Sequence, residues 1–170
     1  MQDYIYEYSA EKALESTKLI TKRLGFLDSY TLGHLLFIAE MVHIQEYGRP
    51  VFGDRYIAIA EGAICSGIFS LCLDAQRGKV LEFICANSGI KSIQEANLEV
   101  LSESDINALN WTCDFYLSNE NWKELCRTDE WKVVFEASLE NNVIKFKLLN
   151  FKNCVLFLKD GEDIWNHMCG

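Results

Sequence analysis

The sequence predicts a mainly α (α+β) fold, a compact helical domain around a buried central helix with small β-hairpins. Three observations lead there. Thr31 to Tyr47 holds Leu32, Leu35, Leu36, Phe37, Ile38, Ala39, Met41, Val42 and Ile44 and leaves little purely polar surface, so this helix must be surrounded by others. Lys79 to Ala86 is rich in strand formers and ends at the turn-like Asn87-Ser88-Gly89. Near the carboxyl end, Ile144, Phe146 and Leu148 alternate with Lys145 and Lys147 at the period of a strand.

The first helix is expected to start at Ser9 as N-cap and to run through Ala13, Leu14, Thr17, Leu19, Ile20 and Leu24 to Gly25. Its exposed face is expected to carry Glu11, Lys12, Glu15, Lys18, Lys22 and Arg23. The second helix begins at Tyr30 or Thr31 and stops at Tyr47, before Gly48 and Pro50. Arg55 to Ala60 reads as a short strand or an extended segment, and a third helix is predicted from Ala63 to Gln76, closed by Gly78. The hairpin that opens at Lys79 is expected to return through Ile93 to Leu98. Ser102-Glu103-Ser104-Asp105 reads as an N-cap with an acidic third position, opening a helix with Ile106, Leu109, Cys113 and Tyr116 on one face. Trp122 to Phe135 suggests two short helices joined at Arg127 to Asp129, with Trp122 and Trp131 in the core. The tail is predicted to form a late hairpin between Ile144 to Leu148 and Cys154 to Leu158, turning at Asn150 to Asn153, then a helical turn at Glu162 to Met168.

The 170 residues carry 25 acids against 16 bases, a net charge of -9. With no repeat and no Pro/Ser-rich linker, they read as one domain over residues 1–170. Residues 1–60 sum to -2, residues 61–140 to -8 and residues 141–170 to +1, so the middle carries the acidity. Such a field repels nucleic acid and favours basic partners, although a solvated acidic surface also simply keeps a protein soluble. The longest uncharged apolar stretch, Gly62 to Leu73, falls short of the ~20 residues of a membrane span. Asp3, Glu7 and Glu11 stand where a signal peptide would need basic and then apolar residues, which predicts a cytoplasmic protein without membrane partners.

Known catalytic signatures are missing: no G-x-S-x-G elbow, no phosphate-binding glycine loop and no H-E-x-x-H helix. The seven cysteines include no C-x-x-C pair and read as reduced core thiols rather than zinc ligands or a disulfide framework. His34 and His43 lie nine helical steps of about 100° apart and cannot share a metal. Glu40 and His43 form a single Glu-x-x-His, half of the pattern that dimetal bundles repeat, so no metal or other cofactor is expected. His167, beside the carboxyl terminus, reads as a terminal residue without a role. Thr31 to Tyr47 contains no Lys or Arg, which argues against a groove-reading helix and direct nucleic-acid binding.

The run from His34 to Phe69 places a core helix His34-Leu-Leu-Phe-Ile-Ala-Glu40, a Tyr47-Gly48-Arg49-Pro50 bend, an extended Arg55 to Ala60 segment ending in Glu61-Gly62-Ala63-Ile64, and then a helix. Further on stand Leu101-Ser102-Glu103-Ser104-Asp105-Ile106 and Leu125 followed by Glu130-Trp131. In order and spacing these resemble the Panacea domain of SocA-like antitoxins over about residues 10–137, with residues 138–170 as a C-terminal hairpin-like extension. His34 replaces the family's usual lysine and Ala63-Ile64 its Pro-Val.

The resemblance implies a non-enzymatic protein, the antitoxin of a bacterial or phage toxin–antitoxin system. It would neutralise a cognate toxin by direct binding, and in one kind of family member the toxin is delivered to an AAA+ protease. A regulatory or proteolytic adaptor of a mobile element, without a dedicated toxin, is the alternative. An enzyme whose site is invisible in one sequence is a third. The candidate partner-binding residues are Tyr47, Arg49, Asp54, Arg55 and Tyr56, a mixture of aromatic and charged groups at the bend. The competing expectation is that Tyr56 packs inward and Asp54 with Arg55 shapes a turn. Gly48, Pro50 and Gly62 are read as backbone devices: a positive φ, a helix stop, and a tight entry into the third helix.

Overall fold

The computed structural model describes residues 6–140 and 146–170. Its central element is α2 (Ser29–Tyr47), whose buried positions run without interruption from Leu32 to Met41 and then include His43 and Ile44. Around it pack α1 (Ala10–Leu24), α3 (Ser66–Gln76), α4 (Glu103–Ser118), a short 3-10 helix (Trp122–Cys126), α6 (Phe151–Leu156) and α7 (Gly161–Cys169). Helix α5 (Asp129–Glu140) packs on β2 and α6 instead. A helix apolar on all sides needs neighbours on all sides, so the sequence of α2 alone dictates a helical shell.

Local chemistry sets the helix ends. Ser9 caps α1 by accepting from the Lys12 N–H at 3.3 Å, and Gly25 ends it at φ 94°. Asp28 accepts from the Tyr30 and Thr31 N–H groups, both at 3.0 Å, and starts α2 at Ser29. Ser102 and Asp105 form a reciprocal capping box on α4.

Two three-stranded antiparallel sheets flank the helices. In the first, the order is β1 (Leu27–Asp28), β5 (Gly89–Ser92), β4 (Phe83–Ala86). Asn87 and Ser88 both take positive φ, 51° and 65°, giving the two-residue turn that suits hairpin twist. The return strand is therefore Gly89–Ser92, immediately after the turn, and not Ile93 to Leu98 as expected. In the second sheet, the order is β3 (Gly62–Cys65), β2 (Tyr56–Ile59), β6 (Lys147–Leu148).

This second sheet corrects two expectations. Ala63 to Cys65 is strand, paired with Ala58 to Tyr56, and helix α3 begins only at Ser66. Gly62 accordingly opens a strand rather than a helix, at φ 142°, where an added Cβ would lie 2.6 Å from the Cys126 Cβ. In the tail, the Lys147–Leu148 strand pairs with β2, whereas Phe151 to Leu156 is helical. Cys154, Val155 and Leu158 recur at i, i+1 and i+4, a helical face that a short apolar run does not distinguish from a buried strand. The expected strand residue Ile144 lies outside the described residues.

Helix α1 also differs from its expected exposure. Glu15 and Lys18 are buried, because the segment after β5 lies over them. Glu15 accepts from the Lys18 ammonium at 2.8 Å and from the Asn97 N–H at 2.6 Å, and Thr21 accepts from the Ser92 N–H at 3.1 Å. Polar side chains thus satisfy the covering loop's backbone, as burial requires. Trp131 is buried and donates its indole N–H to the Ile59 carbonyl at 2.8 Å, while Trp122 is half-buried against the core.

Candidate interaction site

The bend that follows α2 is built on two polar clusters. Glu40, fully buried in the middle of α2, accepts from the Phe52 N–H at 2.8 Å and from the Tyr56 hydroxyl at 2.7 Å. Burial pushes its carboxyl up to about 7 against the opposing pull of these donors. The carboxylate ties the returning chain and β2 to the central helix.

One turn later, His43 contacts the Arg49 carbonyl through Nδ1 at 2.6 Å. A carbonyl only accepts, so Nδ1 carries a proton, while Nε2 lies 2.9 Å from the Ser104 hydroxyl and 3.2 Å from Asp105 Oδ1. Burial pulls the His43 imidazole below its ordinary range, against the opposing pull of the Arg49 carbonyl and the Asp105 carboxylate. Nearby Asp105, also fully buried, accepts from Lys12 Nζ at 2.7 Å, Arg49 Nη1 at 3.1 Å and the Ser102 N–H at 2.9 Å. Burial alone would raise the Asp105 carboxyl, but the Lys12 ammonium and the Ser102 N–H hold it below the usual carboxylate range. Arg49 completes the cluster by donating from Nη2 to the Ser102 and Ser104 hydroxyls.

Asp54 serves a third helix. Its carboxylate accepts from the Gly67 and Ile68 N–H groups at the start of α3, where Cys65 supplies no side-chain cap, and from the Arg55 N–H at 2.7 Å. Gly48 closes α2 at φ 66° and ψ 22°, with its N–H donated to the Ile44 carbonyl at 2.9 Å. A Cβ there would meet His167 of α7 at 3.1 Å, so the residue read as terminal and idle packs on the bend.

The predicted partner-binding residues therefore do not lie together on one face. Tyr56 and Asp54 are buried and hydrogen-bonded inside the fold, so neither can touch a partner in this conformation. Arg49 is half-buried and held by Asp105. Tyr47 and Arg55 are exposed, the Tyr47 ring lying 4.8 Å from that of His43. Among the described residues, no group of three His, Cys, Asp or Glu side chains could hold a metal ion. No helix among them is long and apolar enough to cross a membrane.

Beside Tyr47 opens a groove of about 610 Å³ between α2, α4, the segment Glu124 to Asp129, and α6. Ile38, Met41, Ala108 and Cys154 form its buried floor. Tyr47, Trp111, Leu125 and Phe157 stand exposed around it. Trp111 and Phe157 were not singled out from the sequence, and Leu125 only as part of a family-like pattern, because the groove joins segments that only folding brings together. One signal was available: Trp111 falls off the Ile106, Leu109, Cys113, Tyr116 face of α4, leaving a large aromatic side chain without an assigned place in the core.

A model of the family described as antitoxin SocA-like, Panacea domain, matches residues 32–132. That span runs from the start of α2 into α5 and contains the whole bend, Asp105 and every wall of the groove except α6. No curated protein and no solved structure matches the chain.

Proposed function

Because the chain belongs to the family of SocA-like antitoxins that carry the Panacea domain, we propose that it is the antitoxin of a bacterial or phage toxin–antitoxin pair and neutralises its toxin by direct protein binding. The observation that carries this reading is the match itself, which covers the central helix and the bend. Geometry agrees in kind. The buried Glu40 and Asp105 carboxylates and the His43 imidazole are hydrogen-bonded to backbone, which positions loops, while exposed aromatic side chains border a concave surface. An acidic protein of net charge -9 suits masking of a basic protein surface.

Within this proposal residues 1–170 act as one cytoplasmic domain. Tyr47, Arg55 and the outer part of Arg49 meet the partner at the bend, with Asp54 and Tyr56 shaping it from beneath. Expression of the adjacent gene alone and together with this one tests the reading. Growth arrest by the neighbour, relieved by co-expression and accompanied by a co-purifying complex, is the expected outcome. Relief that disappears in cells lacking AAA+ proteases would replace neutralisation with delivery for degradation, and no relief in any strain would remove the antitoxin role.

A further inference from the structure

Four large apolar side chains from four separate segments converge on the groove: Tyr47 is 48% exposed, Trp111 44%, Leu125 43% and Phe157 51%. Single exposed apolar residues are ordinary, but several around one concavity mark a surface that something covers. The volume, about 610 Å³, falls among those of specific binding clefts.

What covers it follows from the walls and the charge. Helices form the long walls and, among the described residues, no strand borders the groove, so an extended peptide would find no row of backbone partners there. A helix satisfies its own backbone and needs only an apolar face to offer. The charged lining consists of Glu46, Glu124 and Asp129 against Arg127; Glu124 pairs with Arg127 at 2.6 Å, Asp129 with Lys132 at 3.1 Å, and Arg127 also donates to the Glu61 carbonyl. Glu46 is exposed and has no ion-pair partner among the described residues. We propose that the groove binds an amphipathic helix of the protein partner, with apolar side chains inserted between Trp111 and Phe157 and Lys or Arg flanking them over Glu46. A second copy of this chain fits poorly, because its net charge of -9 opposes the unpaired Glu46 of the rim. The inference rests on the reading that the protein acts by binding another protein.

The test uses the full chain and two fluorescein-labelled synthetic peptides of about 16 residues, past the length at which isolated helices are marginal. Both carry Leu and Phe at i, i+4 and i+7; one has lysine flanks and the other glutamate flanks. Anisotropy titrations are expected to show the lysine peptide binding about tenfold more tightly or better, with added salt narrowing the difference. Trp111→Glu and Phe157→Glu should each weaken binding about tenfold or more, while Leu81→Glu and Ile93→Glu, exposed elsewhere, leave it unchanged. Glu46→Lys, on an exposed helix position that tolerates either charge, should reduce the preference without unfolding the chain. Binding of neither peptide, equal binding of both, or wild-type binding by folded Trp111→Glu and Phe157→Glu variants overturns the proposal. Self-association abolished by Trp111→Glu would place a second copy in the groove and also overturn it. The two readings separate cleanly: growth relief that survives both groove variants keeps the antitoxin and removes the groove, and selective peptide binding without growth relief does the reverse.

Discussion

The Tyr56 hydroxyl donates to the Glu40 carboxylate at 2.7 Å, joining the first residue of β2 to the middle of the central helix with both side chains buried. Fifteen residues separate them in the chain, including the whole bend, so this bond and the Phe52 N–H to Glu40 bond define the path of the bend. Tyr56→Phe removes a donor from a buried acceptor, and a loss of about 1–3 kcal/mol is expected in urea unfolding at pH 7. Glu40→Ala strands both donors and should be more damaging than Tyr56→Phe.

Glu40 also predicts a pH dependence. Its folded-state pKa is raised from an ordinary value of 4.5 to about 7, so the unfolded chain releases this proton first. Its contribution to stability therefore falls as pH rises from about 4.5 to about 7 and is level on either side. Glu40→Gln cannot ionise, and the slope of unfolding free energy against pH across this window should be flatter in that variant than in the wild type.

Asp105 acts in the opposite sense. Its folded-state carboxyl lies below the ordinary value of 3.8, so the stability it supplies is present above that pH and is lost as pH falls through the lowered folded value. Asp105→Asn removes the charge that pairs with Lys12 and Arg49 and replaces one of the two acceptor oxygens by a donor. Lys12 and Arg49 keep part of their hydration, which moderates the effect to about 2–3 kcal/mol at pH 7. Acid titration followed by circular dichroism should show the variant and wild type converging as pH drops below 3.8.

Gly62→Ala places a Cβ 2.6 Å from the Cys126 Cβ at a φ of 142°. Backbone strain and the clash together predict a loss of about 1–3 kcal/mol. The Cys126→Ala background keeps the offending Cβ and should not rescue, so a thermal melt of the double variant that matches Cys126→Ala alone would contradict this account.

Five of the seven cysteines, Cys65, Cys72, Cys113, Cys126 and Cys154, are buried free thiols, and Cys85 and Cys169 are exposed. Burial pushes Cys113 up to about 11 and Cys72 to about 12, and raises Cys65, Cys126 and Cys154 as well. A thiol-reactive dye at pH 8 should label two cysteines quickly and the remaining five only after denaturation.

Legibility followed the range of the interactions. Ser9, Asp105 with Ser102, and Gly48 act within a turn of their own helix, and both ends of α1 and α2 and the start of α4 were readable to within one or two residues. Ala63 to Cys65 and Cys154 to Leu158 were assigned to the wrong element because a short apolar run fits either period, and a pairing partner or a helical neighbour decides. The Asp105 cluster joins residues from Lys12 to Asp105, and the burial of Glu15 and Lys18 depends on a loop around Asn97. No local pattern announces such contacts. The same reason hid the groove, whose walls come from α2, α4 and α6.

The central claim is direct neutralisation. Its sharpest test is to titrate the purified product of a neighbouring gene that arrests growth when expressed alone with the purified protein, without ATP or protease, and to follow toxin activity. The account predicts that activity falls to zero at a fixed molar ratio and that a complex of that ratio elutes from a sizing column. Undiminished toxin activity at a large excess of this protein would contradict it.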